Sequence, residues 1–176
     1  DLTSELTKAL GDSNLTQAQL DTIKVNAAKA GITLDSSLLT SANSQLVTKQ
    51  NAFQNQITRA LNDNTLDKAG LDKIRADAEA AGVPLSDTSL AYAYKRVGEF
   101  ESFQASQNLI AKQREFQNQI TQAINDNTLD QAKLDQIKSD AAAAGAPLSD
   151  SSISQAQQKV QEFAATRASQ DLIAKQ

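Results

Sequence analysis

Six times along the chain a leucine stands directly before a Thr, Asp or Ser, and a second leucine or an isoleucine follows five positions after the first. The pairs are Leu15/Leu20, Leu34/Leu39, Leu66/Leu71, Leu85/Leu90, Leu129/Leu134 and Leu148/Ile153, around the caps Thr16, Asp35, Asp67, Ser86, Asp130 and Ser149. An oxygen at the N-cap accepts a backbone N–H that the helix cannot pair, and the apolar residue before it packs on one a turn inside. Each signature therefore predicts a helix start, and Gln19 after Thr16 adds a capping box. Behind three of the starts the apolar spacing stays helical, through Ile23 and Ala27, Ile74 and Ala78, Ile137 and Ala141. These short helices end at Gly31, Gly82 and Gly145, where a left-handed residue is expected. Pro84 and Pro147, two residues beyond, prevent continuation.

The longest uninterrupted stretch predicts one helix over residues 86–125, with no proline and only Gly98 inside. At about 100° per residue its apolar positions change side. Leu90, Ala93, Tyr94, Val97 and Phe100 share one side; Leu109, Phe116, Ile120, Ala123 and Ile124 lie roughly opposite, with Phe103 and Ile110 between. A helix of this kind is expected to serve two cores in succession, closing one bundle and opening the next.

The pattern repeats. The stretch that begins at Phe53 and runs to Leu90 returns from Phe116 to Ile153, identical at 27 of 38 positions. The register persists downstream, since ASQNLIAKQ from Ala105 recurs as ASQDLIAKQ from Ala168. A diverged copy spans residues 6–38. It stands closer to the second copy than the second does to the third, so the helix joining copies one and two is shorter by twelve positions. In each copy the first helix stops at a polar turn: Gly11-Asp12-Ser13-Asn14, Asn62-Asp63-Asn64-Thr65, and Asn125-Asp126-Asn127-Thr128. Asn and Asp bond their own backbone there and tolerate left-handed geometry.

The expected fold is all-α: tandem three-helix bundles sharing long continuous helices, an elongated rod of three repeats over residues 1–50, 51–113 and 114–176. This layout is similar to that of spectrin-type rods and of the tandem three-helix modules on Gram-positive cell walls. The resemblance is one of architecture; no diagnostic ligand-contact motif of either group is present. Bundles of this size bury little surface alone, and a shared helix couples neighbours.

Composition narrows the function classes. Hydrophobic residues make up 40% but aromatics 4%, so the core is aliphatic and alanine-lined. A net charge of -4 argues against nucleic acid or an anionic membrane as partner. No stretch approaches the ~20 apolar residues of a membrane span, and no signal peptide is evident. Starting at Asp1 without methionine, the chain reads as a processed product or excised piece. Absence of cysteine and methionine in a Gln/Asn/Ser/Thr-rich chain suits an exported bacterial protein, extracellular or at the cell surface.

Candidate chemistry is sparse. With no histidine or cysteine, the commonest nucleophiles and metal ligands are missing. The Asn-Asp-Asn turns gather hard oxygens that suit calcium. An EF-hand loop, however, needs an acid eleven residues after Asp63 or Asp126, where Ile74 and Ile137 stand. Asp72, Asp77, Glu79, Asp135 and Asp140 fall on solvated helix faces. No catalytic residue, cofactor or metal is expected. Tyr92 and Arg96 are the protein-binding candidates, since an exposed tyrosine near an arginine has hot-spot composition; Tyr94 falls on the core stripe. The expectation is a non-enzymatic spacer of an exported repetitive protein, holding a functional domain away from a surface. The alternative is an adhesin-like tandem binding module for a protein partner.

Overall fold

The computed structural model describes residues 2–175, which form seven α-helices and, among the described residues, no strand. They are α1 (Leu2–Gly11), α2 (Gln17–Lys29), α3 (Ser36–Asn62), α4 (Lys68–Ala80), α5 (Asp87–Asn125), α6 (Gln131–Ala143) and α7 (Asp150–Ala174). All six expected caps are in place. Gln19 N–H donates to Thr16 Oγ1 at 3.2 Å and Thr16 N–H to Gln19 Oε1 at 2.9 Å, closing the capping box. Asp35, Asp67, Ser86, Asp130 and Ser149 accept from backbone N–H groups of Ser37, Gly70, Ser89, Lys133 and Ser152. Gly31, Gly82 and Gly145 take φ of 66°, 71° and 69° after the short helices. In the polar turns the left-handed residues are Asn64, Asn127 and, in the first copy, Ser13.

The chain divides into two compact units between Glu101 and Ser102. In the first unit, one core gathers Leu6 of α1, Leu15 before α2, Leu20 and Ile23 of α2, and Ala42 and Leu46 of α3. A second gathers Ile57 of α3, Leu71 and Ala78 of α4, and Leu90, Ala93 and Val97 of α5, with Leu66 and Leu85 from the turns. The two cores are joined. Val83, from the turn after α4, is buried in the first core, and Phe53 packs on both. The N–H of Gln17 donates to the Gly82 carbonyl at 2.8 Å, and Gln50 Nε2 to the Pro84 carbonyl at 2.8 Å. Copies one and two thus share a polar and apolar seam.

The second unit has its own core of Ile120 and Ala123 of α5, Leu129, Leu134 and Ile137, and Ala156 and Val160 of α7. No polar or charged residue is buried among the described residues. The driving force is apolar burial, at about 25 cal/mol per Å².

The helix α5 has 39 residues and α3 has 27, and the repeat alignment places the twelve additional positions at residues 99–110. Their consequence is visible in exposure. Residues 101–112 are helical and every one is exposed. Leu109, expected with Phe116 and Ile120 in the core of the next bundle, is instead 40% exposed, and Phe103 and Ile110 are open at 57% and 46%. The α6 helix, at 13 residues, spans about 20 Å and covers only part of a helix three times as long. Apolar spacing put Leu109 on a plausible face, but no neighbour reaches it.

Candidate interaction surface

Tyr92 lies on the outward face of α5, 62% exposed and without a hydrogen-bond partner among the described residues. Arg96 follows one turn later on the same face. Its guanidinium is turned to Glu99, with Nη1 3.2 Å from Oε2, and Lys95 Nζ lies 3.9 Å from Oε1 of the same carboxylate. All three charged side chains are about half exposed or more, so these pairs orient side chains without adding much stability.

Tyr94 turns inward. Its ring is half-buried against the second core, and its hydroxyl donates to the Asp72 carboxylate on α4. That hydrogen bond, aided by burial and opposed by Arg75, raises the phenol above its ordinary 10.0. Arg75 Nε holds Glu79 Oε1 at 3.0 Å, and this bond raises the guanidinium pKa further. The third copy has Gln157, Lys138 and Ala142 in place of Tyr94, Arg75 and Glu79, so the cluster belongs to the second copy alone. A carboxylate acceptor keeps the proton on the phenol, the opposite of what a nucleophilic tyrosinate requires. The cluster braces α5 against α4.

The backbone N–H groups of the Asn-Asp-Asn turns close the helix end. Asp63, Asn64 and Thr65 donate their N–H groups to the carbonyls of Arg59, Leu61 and Ala60 at 2.9, 3.3 and 2.9 Å, and the third copy repeats the pattern. Among the described residues no three Asp or Glu side chains gather closely enough to hold a metal ion.

Several polar side chains that sequence reasoning passed over bind distant backbone. Lys49 Nζ donates to the carbonyls of Ser13 and Leu15 at 2.6 and 3.1 Å, clamping the turn between α1 and α2. Arg167 Nη2 does the same for the left-handed Asn127, at 2.8 Å. Gln50 and Gln113, its equivalent at the end of the next repeat, donate to the carbonyls of Pro84 and Pro147. The recurrence of Lys-Gln at residues 49–50 and 112–113 was the available signal.

Part of the exposed face of α3 is unchanged between copies, although Asn51, Ala52 and Arg59 become Arg114, Glu115 and Gln122. Asn55 and Gln56 recur as Asn118 and Gln119, are exposed, and make no side-chain hydrogen bond among the described residues. With Arg59 and Asp63, the first pair lines an open groove. Drift is concentrated elsewhere, at Lys68, Gly70, Lys73, Arg75, Ala76 and Glu79 on α4.

No protein-family model, curated protein or solved structure matches the chain. Among the described residues, no helix is long and apolar enough to cross a membrane.

Proposed function

We propose that the chain is a non-enzymatic spacer, a segment of an exported, repetitive cell-surface protein in which tandem three-helix bundles share long helices and form an elongated rod. The observation that carries this reading is the midsection of α5, residues 101–112, helical with every side chain exposed. Such a segment adds length and no core, at about 1.5 Å per residue. The apolar cores and capped turns support it as well, since among the described residues no polar or charged residue is buried in them. Small-angle scattering tests the rod. A compact chain of this length has a radius of gyration of about 16 Å, and the spacer reading requires a much larger value. A measured value close to the compact one overturns it. Surface labelling of the intact source cell tests the location.

A second reading, a tandem binding module for a protein partner, is favoured by one feature. Asn55-Gln56 and Asn118-Gln119 are exposed and repeated without a structural task in the fold. Tandem display of one such surface gains avidity. Tyr92 and Arg96 fit this reading less well, because the third copy carries Gln155 and Lys159 there and the surface is not repeated. Capture of a host protein by the natural chain, lost when all four amides become alanine, supports the module. Capture unaffected by those changes but lost in Tyr92→Ala assigns it to the α5 face instead.

A further inference from the structure

We propose that α5 pairs antiparallel with α5 of a second copy of this chain, through a stripe formed by Glu99, Phe103, Ser106, Ile110 and Arg114. At about 100° per residue these five positions fall within an arc of about 80° on one face of a single continuous helix. All five are exposed, and Phe103 and Ile110 are among the most open large apolar side chains of the fold. The spacing of four and three residues between Glu99, Phe103, Ser106 and Ile110 is that of a helix-pairing seam.

The occupant follows from the symmetry of the stripe. Phe103 lies as far before the midpoint between Ser106 and Gln107 as Ile110 lies after it, and Glu99 as far before it as Arg114 lies after. Two antiparallel copies therefore set Phe103 on the partner's Ile110, twice, and Glu99 on the partner's Arg114, twice. A parallel pair sets Glu99 on Glu99 and Arg114 on Arg114, which like charge disfavours. Arg114 has no ion pair among the described residues, and Glu99, already facing Lys95 and Arg96 on its own helix, would exchange part of that exposed pairing for the partner's Arg114. At the centre Ser106 presents a small side chain, and its hydroxyl already donates to the Ser102 carbonyl at 2.9 Å. Burying it orphans no donor.

The third copy supplies an internal contrast. In α7 the equivalents of Phe103, Ser106 and Ile110 are Thr166, Ser169 and Ile173, and the equivalent of Glu99 is Glu162. Without the aromatic residue the stripe is broken there, so self-pairing is a property of α5. The contact is short, smaller than the roughly 1,200 Å² at the lower end of stable interfaces, so the dimer is weak and concentration-dependent.

The test uses the whole chain, which has no cysteine, so that one introduced thiol reports one position. Under mild oxidation at high protein concentration, S106C is expected to cross-link to itself. E99C and R114C are expected to cross-link to each other when mixed, and neither to itself alone. Self-linked E99C or R114C at a comparable rate indicates parallel or random encounter and overturns the proposal. Sedimentation equilibrium gives a second measurement. Ile110→Asp, at an exposed position, is expected to weaken self-association by about tenfold while leaving the melting temperature unchanged. A chain that stays monomeric at about millimolar concentration, or Ile110→Asp that associates as well as the natural chain, overturns it. The outcome is independent of the spacer reading, which scattering on the dilute monomer decides.

Discussion

A Cβ built on Gly82 would lie 2.2 Å from Thr16 Cγ2, a separation that no two carbon atoms of neighbouring side chains tolerate. The turn after α4 and the cap of α2 are thus pressed together at backbone contact, and the N–H of Gln17, an orphan donor of the α2 start, is satisfied by the Gly82 carbonyl. The middle copy resolves the same need differently: the N–H of Lys68, the equivalent of Gln17, faces Glu101 Oε1 at 3.4 Å. One orphan donor is met by a neighbouring turn and the other by a side chain of the next helix.

This difference predicts unequal costs for one substitution. Gly145 has φ of 69°, and a methyl group added to it would meet nothing within 4 Å. Gly145→Ala therefore meets only the left-handed penalty, about 1–2 kcal/mol. Gly82→Ala meets that penalty and the collision with Thr16, and is expected to lose about 1–3 kcal/mol more, the usual cost of overpacking. Denaturant titrations of the two variants check this. Equal losses would mean that the seam opens without cost.

Lys49 is the next test of the same region. Its ammonium reaches two carbonyls of the α1–α2 turn, and hydrogen bonds from charged donors contribute more than neutral ones. Lys49→Met keeps most of the apolar stem and removes the donor. A loss of about 1–2 kcal/mol is expected in a melt followed by circular dichroism. Lys112→Met should cost less, because its ammonium meets one carbonyl, at 3.5 Å.

How far all this was legible in the sequence depended on whether the interaction was local. Caps, staples and the glycine stops lie within a few residues of one another, and every one of the six starts was found where Leu15, Leu34, Leu66, Leu85, Leu129 and Leu148 announce it. Leu109 was misplaced because periodicity reports which side of a helix a residue occupies and says nothing about whether a neighbour reaches that far. Val83 in the first core and Gly82 against Thr16 were out of reach for a different reason. They meet partners far away along the chain, and no local pattern encodes such a meeting. Tyr92 and Tyr94 separated as expected, one outward and one half-buried, while the Asp72 partner of Tyr94 came only with the packing of α4 on α5.

The cap of α3 carries a pH dependence of defined sign. Asp35 accepts from the hydroxyl and N–H of Ser37 and from the N–H of Leu38, and these bonds hold its carboxyl below its ordinary 3.8. A depressed folded-state value means that the stabilisation is full above the ordinary value and is lost as the pH falls through the folded one. Asp35→Asn accepts the same bonds without a proton to gain. Melts at pH 7 and pH 3 should therefore show the natural chain losing more on acidification than Asp35→Asn. Equal losses would show that the carboxylate charge contributes nothing to the cap.

Gly98 stands inside α5 with helical backbone, and a methyl group there would meet nothing within 4 Å. Glycine in a helix interior costs roughly 0.5–1 kcal/mol relative to alanine, because the unfolded chain gains freedom that the helix must remove. Since no packing opposes the change, Gly98→Ala is expected to stabilise the chain by that amount. The neighbouring residue on the core side, Val97, is buried, and its side chain is untouched by the substitution. The gain should appear as slower amide exchange in the residues that follow position 98, since those hydrogen bonds depend on α5 staying helical as it leaves the core for the exposed stretch at 101–112. Exchange unchanged there, with stability unchanged as well, would mean that the backbone at Gly98 is already as ordered as alanine would make it. A loss of stability would require a close neighbour at this position, which the geometry of α5 does not contain.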